Sequence, residues 1–133
     1  MNNIFTNSAP MDVCLFADEN SKPEDIMDWV QPDLFVVCNP DKIGEKYING
    51  APDLVIEVLS PLTARNDRMI KFNSYLKAGV REYWIVDPYN MSVEVYLSKE
   101  KDFKQTAVYV KDEQLTGHIL PELQIDLKNI FKE

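Results

Sequence analysis

A glutamate, Glu57, lies in the middle of the apolar segment PDLVIEVLS, residues 52–60. Its neighbours are the aliphatic residues typical of a strand that is buried on both faces of a sheet. An ionised carboxylate in such a place costs several kcal/mol unless a cation, a metal ion or hydrogen-bond donors compensate it. The residues able to compensate Glu57 therefore indicate what chemistry the protein can perform.

A second apolar segment, PDLFVVC at residues 32–38, offers a partner for Glu57. Asp53 shares a strand face with Glu57 but lies ~13 Å away at ~3.3 Å per residue, too far to chelate the same ion. If the two segments pair as an antiparallel hairpin, Asp33 approaches Glu57 and Asp53 lies at the loop end. Two carboxylates on neighbouring strands could then supply oxygen ligands for Mg²⁺, Mn²⁺ or a similar hard cation.

The segment TARNDRMIKFNSYLKAG, residues 63–79, is predicted to form a helix that ends at Gly79. The helix follows the Glu57 strand directly, so it can place side chains over the end of that strand. One face carries the apolar residues Met69, Phe72 and Leu76, and another carries Asp67, Lys71 and Tyr75.

Two carboxylates and a lysine form the set needed for metal-assisted phosphodiester hydrolysis. The cation offsets charge on the phosphate and lowers the pKa of a bound water, while Lys71 orients that water or neutralises developing charge. Asp67 could support Lys71 through an i, i+4 contact or cap the helix start. The structural alternative is a buried ion pair between Glu57 and Lys71, Arg65 or Arg81, with no catalytic role.

The other segments are mostly strand-like, which makes the chain α/β or α+β with one main helix. The strand–helix–strand unit from Asp53 to Asp87 predicts a right-handed crossover onto one sheet. The acidic segment 17–29 is predicted to be a loop containing at most one helical turn. Strands are predicted at 11–16, 33–38, 53–60, 82–87, 92–97 and 103–110, with a hairpin turn at 98–102 and a strand plus terminal helical turn across 119–131.

The chain has 133 residues and a net charge of −8, which excludes a passive, charge-driven grip on nucleic acid but not a local basic patch or a bound cation. Cys14 and Cys38 lie in apolar segments and are predicted to be buried free thiols in a reducing compartment. The sequence shows neither a signal peptide nor an apolar run of the ~20 residues that span a bilayer. We therefore expect a cytoplasmic protein with no membrane partner.

Three segments occur together and in order: PDLVIEVLSP at 52–61, DRMIKFNSY at 67–75 and GVREYWIVDP at 79–88. Together with QPDLFVVC upstream, they resemble the Uma-type family of the PD-(D/E)xK restriction-endonuclease-like superfamily, over about residues 11–131. The resemblance implies a bacterial protein and Mg²⁺-dependent cleavage of DNA. It also implies an α/β fold, restriction-endonuclease-like, in which a mixed sheet carries one main helix and C-terminal β-hairpins within a single domain, 1–133.

Carried over to this sequence, the resemblance gives Asp33 the part of the PD aspartate and Glu57 that of the acidic residue in (D/E)xK. Leu59 stands where the motif has lysine, so the lysine role is assigned to Lys71 on the helix. The predicted catalytic residues are thus Asp33, Glu57 and Lys71, and the predicted metal ligands are Asp33 and Glu57.

The sequence departs from the family at its N-terminal side, where members usually carry a helical part and a further acidic residue. Glu19, Glu24 and Asp25 lie in that part of the chain but in no motif. A short N-terminal side is expected to leave apolar surface uncovered, which predicts a homodimer or a partner chain. The alternative function is a catalytically inactive nuclease-fold remnant that acts as an interaction or oligomerisation module.

Overall fold

The structure is a computed structural model of the chain, and it describes residues 5–7, 11–16, 29–60 and 65–131. The longest strands follow the helix. The strands are β1 (Phe5–Asn7), β2 (Asp12–Cys14), β3 (Trp29–Val30), β4 (Leu34–Val37), β5 (Tyr47–Asn49), β6 (Leu54–Val58), β7 (Glu82–Asp87), β8 (Ser92–Lys99), β9 (Asp102–Val110), β10 (Gln114–Thr116) and β11 (Gln124–Asp126), and the helix is α1 (Arg65–Ala78).

A six-stranded mixed sheet in the order β1-β4-β6-β7-β8-β9 forms the centre of the fold. Strands β4 and β6 are antiparallel, with Leu34 opposite Ile56, whereas β6 and β7 are parallel and are joined through α1. The prediction that segments 33–38, 53–60 and 82–87 share one sheet is confirmed. The α/β restriction-endonuclease-like class is confirmed with it, and a single domain over 1–133 stays a prediction.

Apolar residues pack on both faces of this sheet, because its central strands are apolar at nearly every position. On one face α1 covers a helix-side core that includes Phe35, Val55 and Tyr83. On the other face the β10–β11 hairpin and the chain end cover a C-terminal core built around Trp84. The central strands are therefore buried on both faces, as their near-continuous apolar sequence predicts.

The buried side of α1 differs from the predicted one. Tyr75 is fully buried, and Phe72 and Leu76 pack on the helix-side core, but Met69 is 60% exposed. At 100° per residue, Met69 lies about 120° around the helix from Tyr75, so burial centred on Tyr75 leaves Met69 in solvent. The side chains of residues 65–68 lie outside the description, so the contacts predicted for Asp67 and Arg65 stay predictions.

The helix ends where the sequence predicts, at Gly79. This glycine has φ +100°, and the N–H groups of Gly79 and Val80 both donate to the carbonyl of Tyr75, at 3.2 and 3.0 Å. The Gly79 N–H also donates to the Leu76 carbonyl at 3.2 Å, and this bond, together with the Val80 bond to Tyr75 and a left-handed glycine, forms the Schellman ending of a helix. It fixes the last turn of α1 and with it the position of Tyr75.

Replacing Gly79 should therefore destabilise the protein through backbone strain alone. A Cβ at this position meets no atom within 4 Å, so crowding contributes nothing. We expect Gly79→Ala to lower the free energy of unfolding by about 1 kcal/mol, and Gly79→Asn to lower it by less, because asparagine tolerates positive φ better. Urea denaturation of both variants measures this, and equal losses would contradict the backbone explanation.

Outside the central strands, some elements agree with the sequence predictions and others were not predicted. The predicted hairpin turn at 98–102 is tighter, because β8 and β9 extend to a two-residue turn at Glu100 and Lys101, both with positive φ. The predicted end of the chain is confirmed by β11 and a 3₁₀ turn at Leu127–Asn129. The connection between β4 and β6 contains β5, which pairs in parallel with β2 in a three-stranded sheet with β3.

Of the predictions for the N-terminal part, β2 confirms the strand at 11–16, and residues 17–28 lie outside the description. Both cysteines are free; Cys14 is fully buried and Cys38 partly so. Burial, and then the nearby Asp12 carboxylate, raises the pKa of the Cys14 thiol to about 11, so that it is uncharged at neutral pH. Within the described ranges, α1 is too short and too polar to cross a bilayer, and no other helix would reach across one.

Candidate active site

Asp33 and Glu57 face each other at one end of the β4–β6 pair, one residue beyond the Leu34–Ile56 pairing. The backbone N–H of Asp33 donates to Glu57 Oε1 at 2.9 Å, and the N–H of Val58 donates to Asp33 Oδ2 at 2.8 Å. Each carboxylate thus accepts a hydrogen bond from the backbone of the other strand. The two bonds hold both side chains at this end of the sheet.

The second oxygen of Glu57 receives two donors from α1. Lys71 Nζ lies 3.1 Å from Glu57 Oε2, and the Tyr75 hydroxyl donates to the same oxygen at 3.1 Å. Lys71 and Tyr75 are four residues apart and so lie on one face of the helix. Burial, and then the Glu57 carboxylate, raises the pKa of the Tyr75 phenol above its ordinary value, so the hydroxyl keeps its proton.

These contacts account for the carboxylate in the apolar strand. Glu57 is only 6% exposed, yet a backbone N–H, an ammonium and a hydroxyl compensate its charge. Lys71 is 35% exposed and Asp33 is exposed, so the cluster opens to solvent on the Asp33 and Lys71 side. The structure brings together the three predicted residues, and their catalytic roles stay predictions.

Asp53 and Arg81 lie beside each other at the end of β6 opposite Glu57. Asp53 accepts the N–H of Cys38 at 2.7 Å and pairs with Arg81 at 3.6 Å. The alternative in which Arg81 compensates Glu57 is therefore wrong, because the chain returns from α1 at the start of β7, beside the start of β6. The ion pair between Glu57 and Lys71 is present, and both the catalytic and the purely structural interpretation include it.

The donor set at Asp33 and Glu57 fits a hard divalent cation. Both groups are carboxylates, and Mg²⁺ is commonly held by one or two carboxylates, with water and phosphate completing its shell. In the part of the chain that the structure describes, no three His, Cys, Asp or Glu side chains are grouped closely enough to hold a metal. A cation held by these two carboxylates would take water or substrate at its other positions.

Comparison with known proteins gives a family for this geometry. The sequence model of the Uma2 family, described as "Putative restriction endonuclease", matches residues 11–128. The chain belongs to the Uma2 family. No curated protein sequence matches the chain.

A solved structure supports the Uma2 fold. The chain superposes with a TM-score of 0.68 on the crystal structure of a protein from Anabaena variabilis, described as a "putative nuclease belonging to DUF820". The two are 22% identical, and the match covers 96% of this chain and 68% of the other. At this identity the similarity shows a shared fold.

In this Uma2 chain the position two residues after Glu57, where the PD-(D/E)xK motif has lysine, is occupied by Leu59. Leu59 packs against the helix-side core, and its N–H donates to Val86 in β7 at 2.8 Å. A lysine at position 59 would therefore replace a packed apolar side chain. The ammonium at the carboxylate comes instead from Lys71 on α1.

Sequence reasoning missed a second buried carboxylate, that of Glu82 at the start of β7, which is fully buried. Its oxygens accept the Trp84 indole N–H and the backbone N–H groups of His118 and Ile119, the latter two at 3.1 and 2.9 Å. It therefore ties the connection between β10 and β11 to the central sheet. The available sequence signal for Glu82 was its position in the apolar run EYWIVD, at 82–87. Its backbone donors could not be identified from the sequence, because they lie 36 and 37 residues further along the chain.

Glu82 should behave as a structural carboxylate, in contrast to Glu57. Glu82→Ala leaves the buried Trp84 indole N–H and the partly buried backbone N–H groups of His118 and Ile119 without this acceptor, and should lower the free energy of unfolding by about 3 kcal/mol. Glu82→Gln keeps one carbonyl oxygen and should cost less. Thermal and urea unfolding measure both, and a stability of Glu82→Ala equal to the wild type would contradict the role.

Proposed function

We propose that this Uma2 protein is a metal-dependent DNA endonuclease that hydrolyses phosphodiester bonds. The observation that carries the proposal is the meeting of Asp33 and Glu57 at one strand end, with Lys71 Nζ 3.1 Å from Glu57. Two carboxylates and an ammonium are the groups needed for metal-assisted hydrolysis, and the model of the Uma2 family is described as "Putative restriction endonuclease".

In this proposal Asp33 and Glu57 would hold Mg²⁺ or Mn²⁺. When bound, such an ion offsets charge on the scissile phosphate and makes a water molecule more acidic. The backbone N–H groups of Asp33 and Val58, together with the Tyr75 hydroxyl, orient the carboxylates in advance, which avoids reorganisation during the reaction. Lys71 neutralises charge that develops on the phosphate oxygens.

DNA as the substrate must be reconciled with a net charge of −8. At that charge the general attraction between the protein and a phosphate backbone is absent, so binding depends on local positive groups and on the cation itself. Lys71, at the open side of the cluster, is one such group. The proposed enzyme is therefore expected to bind DNA weakly in the absence of a divalent ion.

Plasmid cleavage tests the proposal directly. With Mg²⁺ or Mn²⁺ we expect nicking or linearisation that EDTA abolishes and that Glu57→Gln reduces by at least ~100-fold, because a metal ligand has been lost. Glu82→Gln is the matched control: it removes the charge of the other buried glutamate and should keep the activity. Cleavage that survives both EDTA and Glu57→Gln would be contamination, and a folded protein inactive with either metal would contradict the proposal.

One observation favours the second candidate, an interaction or oligomerisation module. Leu34, Val58 and Ile130 are 39, 44 and 51% exposed, and they border an apolar cleft of about 160 Å³ on the sheet face opposite α1. Leu34 and Val58 directly follow Asp33 and Glu57 in the chain, so the cleft lies beside the candidate site. We propose that a second copy or a partner chain covers this surface, with or without catalysis.

Light scattering tests the assembly. At micromolar concentration we expect a mass of about twice the 15.4 kDa of the chain. Ile130→Lys, which places a charge at the cleft margin, should shift the mass to that of a monomer, because an apolar interface excludes an unpaired charge. Tyr89→Lys, at an exposed residue outside the cleft, serves as the control. A wild-type protein that stays monomeric would contradict the homodimer.

A further inference from the structure

We propose that Tyr75 is a positioning residue that keeps Glu57 in place while Lys71 leaves the carboxylate to contact the substrate. Glu57 then has one permanent side-chain partner and one exchangeable partner on the same helix. The part given to Lys71 rests on the proposed function. The pairing itself can be tested on the metal-free protein.

The geometry gives one oxygen two donors of different kinds. Lys71 Nζ and the Tyr75 hydroxyl both lie 3.1 Å from Glu57 Oε2. Lys71 is 35% exposed and carries its ammonium on a flexible four-carbon stem. Tyr75 is fully buried.

Tyr75 is fixed at both its ring and its backbone. Its ring packs edge-on against Tyr83, with centroids 5.2 Å apart. Its carbonyl accepts the N–H groups of Gly79 and Val80 at the end of α1. Movement of the hydroxyl away from Glu57 would require repacking of the helix-side core, whereas the Lys71 ammonium lies on a flexible, partly exposed side chain.

The need for a second donor follows from burial. An ionised carboxylate with 6% exposure is costly when it loses its partner, so a lone ion pair with Lys71 would resist opening. With the Tyr75 hydroxyl on Oε2 and the Asp33 N–H on Oε1, each oxygen keeps a donor after Lys71 has left. The hydroxyl therefore makes Lys71 available for another anion, such as a phosphate.

A double-mutant cycle on the metal-free 133-residue chain tests whether Tyr75 and Lys71 both stabilise the Glu57 carboxylate. Tyr75→Phe keeps the ring and removes the hydroxyl; Lys71→Met keeps the stem and removes the charge. We expect the double variant to lose about tenfold more in the unfolding equilibrium constant than the two single losses combined, because only then does Oε2 lose both Lys71 and Tyr75. The excess should vanish in a Glu57→Gln background, and additive losses would overturn the proposal.

Calorimetric titration with Mg²⁺ alone separates positioning from simple structural support. Tyr75→Phe should weaken Mg²⁺ binding about threefold or more, because Lys71 is then held more tightly on the carboxylate that the cation needs. In the Lys71→Met background the same substitution should weaken binding less, because no ammonium then competes with the cation. Equal weakening in both backgrounds would overturn the exchangeable role of Lys71. Failure of wild type to bind Mg²⁺ would count against the proposed function, and the stability cycle would still decide the role of Tyr75.

Discussion

The compensation of one buried carboxylate organises the centre of this protein. Glu57 lies in a strand that is apolar on both faces, so its charge must be met by groups from elsewhere in the chain. The antiparallel β4 supplies the N–H of Asp33, and the crossover helix supplies Lys71 and Tyr75. The register of the β4–β6 pair and the position of α1 therefore both determine the contacts of the Glu57 side chain.

The two buried glutamates of the central sheet have different partners. Glu82 is fully buried and accepts N–H groups from its own strand and from the segment at His118, whose imidazole Nδ1 lies 3.6 Å from Glu82 Oε2. Glu57 has an ammonium partner and an exposed aspartate beside it. A carboxylate that only braces the fold gains nothing from an open side, whereas one that binds a cation and a substrate requires it.

The sequence predicts those parts of the site that follow from local periodicity. Alternation along strands and an antiparallel hairpin are enough to bring Asp33 to Glu57, and helical spacing after the strand is enough to bring Lys71. The rest depends on contacts between distant segments. The pairing of β5 with β2, the burial centred on Tyr75 instead of Met69, and the donors to Glu82 are all decided by packing that periodicity does not specify.

The family match and the geometry of the site independently support the proposed nuclease function. Membership of Uma2 rests on the match over residues 11–128, and the cluster rests on distances between atoms. The most direct test is a crystal structure of the protein soaked in Mn²⁺, with an anomalous difference map. The account predicts a peak bound by the carboxylates of Asp33 and Glu57, and no peak there in Glu57→Gln crystals soaked in the same way. A saturating soak that leaves Lys71 on Glu57 and no peak at the carboxylates would contradict it.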